Sequence, residues 1–246
     1  MSKKQVIPYP GKKKSKKTQI RQMFDGISPE YDLMNRIITG GADIKWRKNV
    51  VAILLPKKPK KILDVATGTG DLAISLSETN ATEIIGIDIS VGMLDIGKKK
   101  VKKHKRNKKI KLEIGDSEQI DYPSNYFDAV TVAFGVRNFE NLEKGLSEIQ
   151  RVLRPGGDLI ILETAVPQKI PMRQFYQLYT HFLMPLMSWI FSKDKSAYKY
   201  LSDSANRFPF GKAFNNILEK NGFIGVEDIP QTFGVASIYR AQKPTS

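Results

Sequence analysis

The chain has 246 residues, of which 41% are hydrophobic, and this length is sufficient for one substantial core. Its lack of cysteine excludes disulfides, thiolate metal sites and cysteine nucleophiles. Its two histidines, His104 and His181, are far apart in sequence, which argues against a zinc site or a serine–histidine triad. No apolar segment follows the first lysines, so we expect a cytoplasmic protein.

The net charge of +15 is concentrated in three segments. Residues 1–17, 57–61 and 98–111 hold 21 of the 40 Lys and Arg residues and no Asp or Glu. Such runs are usually solvated surfaces or disordered arms. The alternative is an anionic partner, either nucleic acid or a phospholipid surface.

Residues 1–18 are predicted to be a disordered basic arm, because Pro8, Pro10 and Gly11 interrupt its lysines. Residues 19–56 carry apolar side chains at helical spacing and form a helical prelude. Beyond it strands and helices alternate. The predicted strands are 61–65, 83–88, 110–114, 127–133 and 158–163, and the predicted helices are 70–78, 91–103, 141–152 and a region after 170. This alternation favours a parallel sheet covered on both faces.

The C-terminal part breaks the alternation. Residues 213–221 read as a helix, and the strand-like runs 225–230 and 235–242 are close enough to form a hairpin. The predicted fold is α/β: a doubly wound, mostly parallel seven-stranded sheet that ends in an antiparallel hairpin. We expect one domain over 19–246, consisting of the prelude, a cofactor-binding part (57–165), a helical substrate lid (166–210) and a C-terminal helix and hairpin (211–246).

A glycine-rich turn, Asp64-Val65-Ala66-Thr67-Gly68-Thr69-Gly70-Asp71, follows the first predicted strand. Glycines there let the backbone approach a ligand closely, and the helix that follows offers unpaired N–H groups. Asp88, at the end of the next strand, suits a carboxylate that holds ribose hydroxyls in either an NAD or an S-adenosylmethionine site. The flanking Asp64 and Asp71 favour S-adenosylmethionine, since its ammonium and sulfonium tolerate acidity that a pyrophosphate would not.

Four further segments occur in order along the chain. They are Phe24–Asn35, with its Tyr31-Asp32-Leu33-Met34-Asn35 run; Gly86–Leu94; Gly115-Asp116-Ser117-Glu118; and Phe134-Gly135-Val136-Arg137-Asn138. With the glycine turn they resemble, from about residue 20 to 242, the menaquinone/ubiquinone biosynthesis C-methyltransferase family of the UbiE/MenG type. The resemblance implies a class I, Rossmann-like methyltransferase fold with S-adenosyl-L-methionine as co-substrate and no metal.

The resemblance also implies a cofactor site. Its residues are Asp64, Thr67, Gly68 and Gly70 around the turn, Asp88 on the ribose, Asp116 and Ser117 at the adenine edge, and Ala133. At the position of Ala133 the family often has a serine, so only a backbone contact is left here.

The implied acceptor is the reduced ring of a prenylated naphthoquinone. Arg137 would stabilise the developing phenolate or position a water, and Tyr31 and Asn138 would orient the ring oxygens. A structural ion pair for Arg137 and ordinary helix packing for Tyr31 are the alternatives. The sequence does not identify the group that accepts the proton.

Residues 174–192 contain no Lys, Arg, Asp or Glu, but their polar residues and Pro185 argue against a membrane span. Phe175, Leu178, Phe182, Leu186 and Trp189 recur at helical spacing and form one apolar stripe. We predict that Phe182 and Trp189 line a channel for the prenyl tail and contact the bilayer interface. The alternative is that the stripe only closes the core.

The expected partners are a prenylated hydroquinone and an anionic membrane surface, on the inner face of the cytoplasmic membrane, with no nucleic acid; a homodimer is left open. Menaquinone is favoured, and methylation of the ubiquinone precursor 2-polyprenyl-6-methoxy-benzoquinol is the alternative. Methylation of a sterol or another phenol conflicts with the family segments. An RNA-binding or RNA-modifying protein is disfavoured because the basic runs contain no aromatic residue after Tyr9. An NAD-dependent dehydrogenase is the remaining option.

Overall fold

The computed structural model describes residues 6–183 and 194–245. Along these residues the helices are α1 (Lys16–Thr39), α2 (Ala42–Leu54), α3 (Asp71–Leu76), α4 (Val91–Lys103), α5 (Leu142–Val152), α6 (Met172–Leu178), α7 (Lys195–Arg207) and α8 (Lys212–Lys220). The strands are β1 (Lys61–Val65), β2 (Glu83–Asp88), β3 (Ile110–Ile114), β4 (Phe127–Ala133), β5 (Leu153–Thr164), β6 (Ile224–Gln231) and β7 (Ala236–Gln242). Short 3-10 turns join several of them, and a π-helical turn, Tyr179–Leu183, continues α6.

The seven strands form one sheet in the order β3-β2-β1-β4-β5-β7-β6. Strands β1 to β5 are parallel, and β7 pairs antiparallel with both β5 and β6. The predicted fold class is therefore confirmed. From β1 the chain continues to β2 and β3 on one side and then returns to β4 on the other side, so the strand order reverses between β1 and β4. This reversal opens a crevice at the carboxyl ends of the strands.

Side chains alternate between the two faces of the sheet because successive residues of a strand point to opposite sides. Leu63 of β1 belongs to the core beneath α5 and α8, whereas its neighbour Ile62 belongs to the core beneath α2, α3 and α4. A third cluster joins α1 and α7 through residues such as Met23 and Leu201. Helices α1 and α7 therefore lie together over the carboxyl edge and not against a sheet face.

The prediction of a disordered N-terminal arm is wrong for residues 6–18. Ser15 caps α1 by accepting a hydrogen bond from the backbone N–H of Thr18, so the helix begins within the lysine run. The Tyr9 hydroxyl lies 2.5 Å from the Asp194 carboxylate at the start of α7. Lysine 16 is only 8% exposed, since its ammonium reaches backbone carbonyls more than 120 residues away. Composition alone could not reveal these distant partners.

Within residues 6–183 and 194–245, no helix combines the length and the apolar character that crossing a bilayer requires.

Candidate active site

Two adjoining cavities open at the carboxyl edge of the sheet. The first, of about 660 Å³, lies over β1, β2, β3 and β4 and is lined mainly by residues of α1 and of the loops after these strands. The second, of about 1330 Å³, lies between α1, α2, α6 and α7. Tyr31 and Phe134 line both cavities and so form the junction between them.

Asp88 is a half-buried acid on the wall of the first cavity. Its two carboxylate oxygens accept hydrogen bonds from the backbone N–H of Gly68 (2.9 Å) and of Ser90 (2.8 Å). Burial raises the pKa of Asp88 to about 6 despite these bonds. Gly68 has a φ of +55° and lines the same cavity, so the glycine turn bends over the carboxylate that ends β2.

Asp64 and Thr67, both predicted cofactor contacts, do not line the cavity. The Asp64 side chain is buried below the turn, where it accepts hydrogen bonds from the hydroxyls of Thr67 (2.6 Å) and Thr131 (2.7 Å). This carboxylate therefore ties the glycine turn to strand β4. Gly70 is also absent from the lining; its backbone, with φ of +78°, precedes α3.

The remaining predicted cofactor residues, Asp116, Ser117 and Ala133, all line the first cavity. Asp116 is also held by a side chain that the sequence had placed in a disordered arm. The Lys17 ammonium lies 2.7 Å from Asp116 and 3.3 Å from Glu118. Lys17 also lines this cavity, so the start of α1 forms part of its wall.

The loops after β1 and β4 come unusually close together at the junction. A Cβ on Gly135 would lie 2.6 Å from the Cβ of Ala66, so only glycine permits this approach. Ala66 and Phe134 both adopt a positive φ, of 53° and 57°. Such conformations are costly for residues with a Cβ and are concentrated at functional sites.

Arg137 lines the second cavity and forms a buried ion pair with Glu163 at the end of β5. Burial acts to lower the pKa of Arg137, but the Glu163 carboxylate outweighs it and the pKa is raised. The same guanidinium donates a hydrogen bond to the Phe134 carbonyl at 3.0 Å. Arg137 therefore forms an ion pair and also lies on the cavity wall, and its part in catalysis stays a prediction.

Tyr31 lies at the junction and Asn138 lies on the wall of the first cavity, and both side chains have hydrogen-bond partners. The Asn138 amide oxygen accepts a hydrogen bond from the Tyr200 hydroxyl at 3.0 Å, and the amide nitrogen lies 3.3 Å from the Phe134 carbonyl. Asn138 lines the first cavity. Burial raises the pKa of the Tyr31 hydroxyl, which holds it protonated as a hydrogen-bond donor.

The segment 174–192 is described only as far as residue 183, and Trp189 lies outside the described residues. None of the residues of α6 is buried, so in this part the stripe does not close the core. Phe182 is 69% exposed and is absent from the lining of the second cavity. Phe175, Tyr176 and Tyr179 line that cavity instead, so the prediction for Phe182 as a wall residue is wrong.

Sequence reasoning missed Lys16, Lys17, Glu163 and the pair Asp43–Arg47. Asp43 and Arg47 are one turn apart on α2, both are buried, and both line the second cavity. Opposite charges four residues apart in a helix are a visible sequence signal. Their burial was not visible, because it depends on the packing of α2 against α1 and the glycine turn.

A sheet of this order, with a ligand-sized cavity where the strand order reverses, defines the class I S-adenosylmethionine-dependent methyltransferase fold. Solved structures with the same fold include the [4+2]-cyclase SpnF, with a TM-score of 0.66 and 18% identity over 94% of this chain and 97% of that one. A SAM-dependent methyltransferase from Aquifex aeolicus gives a TM-score of 0.54 and 19% identity over 74% of this chain and 81% of that one.

Sequence comparisons are more specific. The family model described as the ubiE/COQ5 methyltransferase family matches residues 12–243. A demethylmenaquinone methyltransferase from Bacteroides fragilis is 43% identical over 97% of both chains. One from Thermus thermophilus is 40% identical over 90% of this chain and 100% of its own, and a ubiquinone/menaquinone biosynthesis C-methyltransferase UbiE from Geobacter sulfurreducens is 39% identical over 92% and 88%. The chain belongs to the ubiE/COQ5 methyltransferase family.

Proposed function

We propose that this protein transfers a methyl group from S-adenosylmethionine to a ring carbon of a reduced prenylated naphthoquinone, converting demethylmenaquinol to menaquinol. The observation that carries the proposal is the pair of cavities that meet at Tyr31 and Phe134. A methyl donor in one and an aromatic acceptor in the other would face each other across this junction. The names of the relatives from Bacteroides fragilis and Thermus thermophilus supply the acceptor.

The first cavity suits a cationic cofactor. Its charged lining residues are Lys17, Asp88, Asp116, Glu118 and Glu140, and Lys17 is paired with Asp116 and Glu118. A pyrophosphate would meet four carboxylates and one lysine here, whereas S-adenosylmethionine carries an ammonium and a sulfonium. Asp88 would accept hydrogen bonds from the ribose hydroxyls, and Asp116 and Ser117 would contact the adenine. Bound there, the cofactor supplies a methyl group activated by the positive sulfur.

The acceptor carbon becomes nucleophilic when the neighbouring hydroxyl loses its proton. Arg137, held by Glu163, would stabilise the negative charge that develops on that oxygen. Tyr31 stays protonated and would donate a hydrogen bond to a ring oxygen at the junction, with Asn138 beside it. The aromatic walls from Phe134, Tyr176 and Tyr179 would exclude water from the reacting atoms.

We further propose that the mouth of the second cavity rests on the membrane that contains the prenyl tail. Ile170, Phe175, Leu178, Phe182 and Phe233 are each more than half exposed. The turn that carries Phe233 contacts the segment before α6, since Gly234 lies close to Pro167 and the Val235 carbonyl accepts a hydrogen bond from Ala165. An exposed apolar group of this kind around a cavity mouth is typical of a lipid or protein contact.

Parts of two lysine runs lie far from that contact. The carbonyls of Lys60 and Lys109 accept hydrogen bonds from residues 82–84 at the start of β2, which puts these two residues at the amino edge of the sheet. Lys100 differs, since it pairs with Asp32 and with Asp71 beside the glycine turn. The cavities open at the carboxyl edge, about 20 Å from the amino edge for strands of this length. That distance exceeds the Debye length in physiological salt, so the lysines at the amino edge would not attract the membrane surface that the mouth touches.

A methyl-transfer assay tests the enzyme proposal: purified protein, labelled S-adenosylmethionine, and either reduced prenylated naphthoquinone or the benzoquinol precursor of ubiquinone. We expect methylation of the naphthoquinol at least tenfold faster, and a faster benzoquinol reaction would contradict the proposal. Sedimentation with vesicles tests the membrane contact. Phe233→Ser should reduce binding severalfold, and Lys108→Glu, at the far edge, serves as the control that should leave it unchanged.

A further inference from the structure

Among the described residues, three charged side chains line the second cavity: Arg137, Arg47 and Asp43. Arg137 follows β4, whereas Asp43 and Arg47 belong to α2 on the wall formed by the prelude. Asp43 is 1% exposed and Arg47 is 7% exposed, so both were withdrawn from bulk water when the chain folded. The mechanism above assigns a task to Arg137 and none to this pair.

The pair is held rigidly. Asp43 accepts hydrogen bonds from the Thr39 hydroxyl at 2.9 Å and from the Arg47 guanidinium, and it forms a second ion pair with Arg36. A buried ion pair gains little stability over well-packed apolar residues, because desolvating both charges offsets their attraction. Stability therefore does not explain why an ion pair, and not two apolar side chains, forms the wall of a cavity for an aromatic compound.

Tyr31 lines the same cavity as the pair and Arg137. Arg137 reaches this cavity from the turn after β4, and Asp43 and Arg47 reach it from α2. An aromatic ring that fills the cavity beside Tyr31 would therefore meet Arg137 and the Asp43–Arg47 pair on walls formed by different elements.

We infer that the Asp43–Arg47 pair binds the acceptor's second ring oxygen, the one para to the oxygen beside Arg137, and that it selects the reduced form. This inference rests on the proposed function. A hydroxyl both donates and accepts, and it would donate to the Asp43 carboxylate and accept from Arg47. A quinone carbonyl only accepts, so it would leave the carboxylate facing an oxygen lone pair. The pair therefore distinguishes the hydroquinol, whose ring is nucleophilic, from the quinone, whose ring is not.

The experiment measures dissociation constants with S-adenosylhomocysteine present, so that no reaction occurs. The ligands are a short-tailed 1,4-dihydroxynaphthalene, its analogue without the distal hydroxyl, and the corresponding quinone. Wild-type protein should bind the dihydroxy compound roughly 10- to 100-fold more tightly than the other two, as expected for one hydrogen bond to a charged group. In Arg47→Met and in Asp43→Asn this preference should fall to about threefold or less.

Arg36→Met is the matched control, since Arg36 also pairs with Asp43 but does not line the cavity. It should keep the wild-type preference. Equal affinity of the wild-type protein for the dihydroxy and monohydroxy compounds would overturn the inference even if the variants fail to fold. An unchanged preference in a folded Arg47→Met would also overturn it. In either case methylation of the dihydroxy compound by the wild-type protein would leave the proposed function standing, whereas its absence would reject that function.

Discussion

The ammonium of Lys17 lies 2.7 Å from the carboxylate of Asp116, which is 99 residues further along the chain. The adjacent Lys16 points elsewhere, and its ammonium lies 2.7 Å from the carbonyl of Phe139 and 3.3 Å from that of Arg137. Two neighbouring lysines therefore connect the start of α1 to both sides of the site. One reaches the wall of the first cavity, and the other reaches the backbone that carries Arg137.

This relationship predicts that Lys17→Met accelerates release of S-adenosylmethionine. The ion pair fastens the start of α1 against the first cavity, and both side chains are about one-third exposed. A pair of that exposure contributes up to about 1 kcal/mol, which corresponds to an increase of at most about fivefold in the dissociation rate. Stopped-flow fluorescence measures that rate. Lys14→Met, an exposed lysine of the same run, is the control, and equal rates in both variants would contradict the prediction.

A second prediction concerns Asp88 and pH. Burial raises the pKa of Asp88 to about 6, and ribose hydroxyls would donate stronger hydrogen bonds to its charged form than to the neutral carboxyl. Affinity for S-adenosylmethionine should therefore be constant above pH 7 and fall by up to tenfold per unit below pH 6. Asp88→Asn should bind more weakly at pH 7.5 and lose this dependence. Calorimetry at a series of pH values measures the affinity of both proteins for S-adenosylmethionine. A wild-type affinity that does not change from pH 5 to 8 would refute the prediction.

Strands β1, β2 and β4 could be predicted from sequence because each is a short, mainly apolar run buried on both faces, and β3, at the sheet edge, alternates buried and exposed residues. The bounds of β1 to β4 agree with the predicted ones. Strand β5 begins earlier, at Leu153, since Leu153 pairs with Phe127 across the sheet before Pro155 interrupts the run. Neighbouring strands determine that extension, and a single segment of sequence does not contain it.

The site was less predictable where the role of a side chain depends on the direction in which it points. Asp64 and Asp88 each lie in or at the end of a strand beside the glycine turn, and sequence gives no reason to separate them. Asp64 points under the turn, where the hydroxyl of Thr131, on the neighbouring strand β4, donates a hydrogen bond to it. Asp88 points into the cavity. The different directions of these two side chains depend on how the strands pair, which the local sequence pattern does not contain.

Asp64 leads to a third prediction, on stability. Burial raises its pKa to about 6, above the unfolded value of 3.8, so the folded protein binds this proton more tightly. The resulting stability is fully present below pH 3.8 and is lost as pH rises through 6. Asp64→Asn should remove this dependence. The fall in unfolding free energy from pH 4.5 to 7.5 should shrink by about 2 kcal/mol relative to wild type. Urea denaturation at both pH values measures it, and an identical fall in the two proteins would contradict the assignment.

The last prediction separates the chemical role of Arg137 from its ion pair. Arg137→Met should lower turnover by about 100-fold or more, as for other donors that stabilise developing charge. Its affinity for S-adenosylmethionine should change little, because Arg137 does not line the first cavity. Methyl-transfer kinetics and calorimetry measure the two quantities.

Removal of Arg137 also leaves Glu163 buried without its cation, which costs several kcal/mol and could unfold the protein. The double variant Arg137→Met/Glu163→Gln is therefore the informative comparison, since it removes both charges together. If Arg137 acts on the developing phenolate, the double variant should regain thermal stability and bind S-adenosylmethionine normally while turnover stays low. Recovery of turnover along with stability would show that Arg137 serves only to neutralise Glu163.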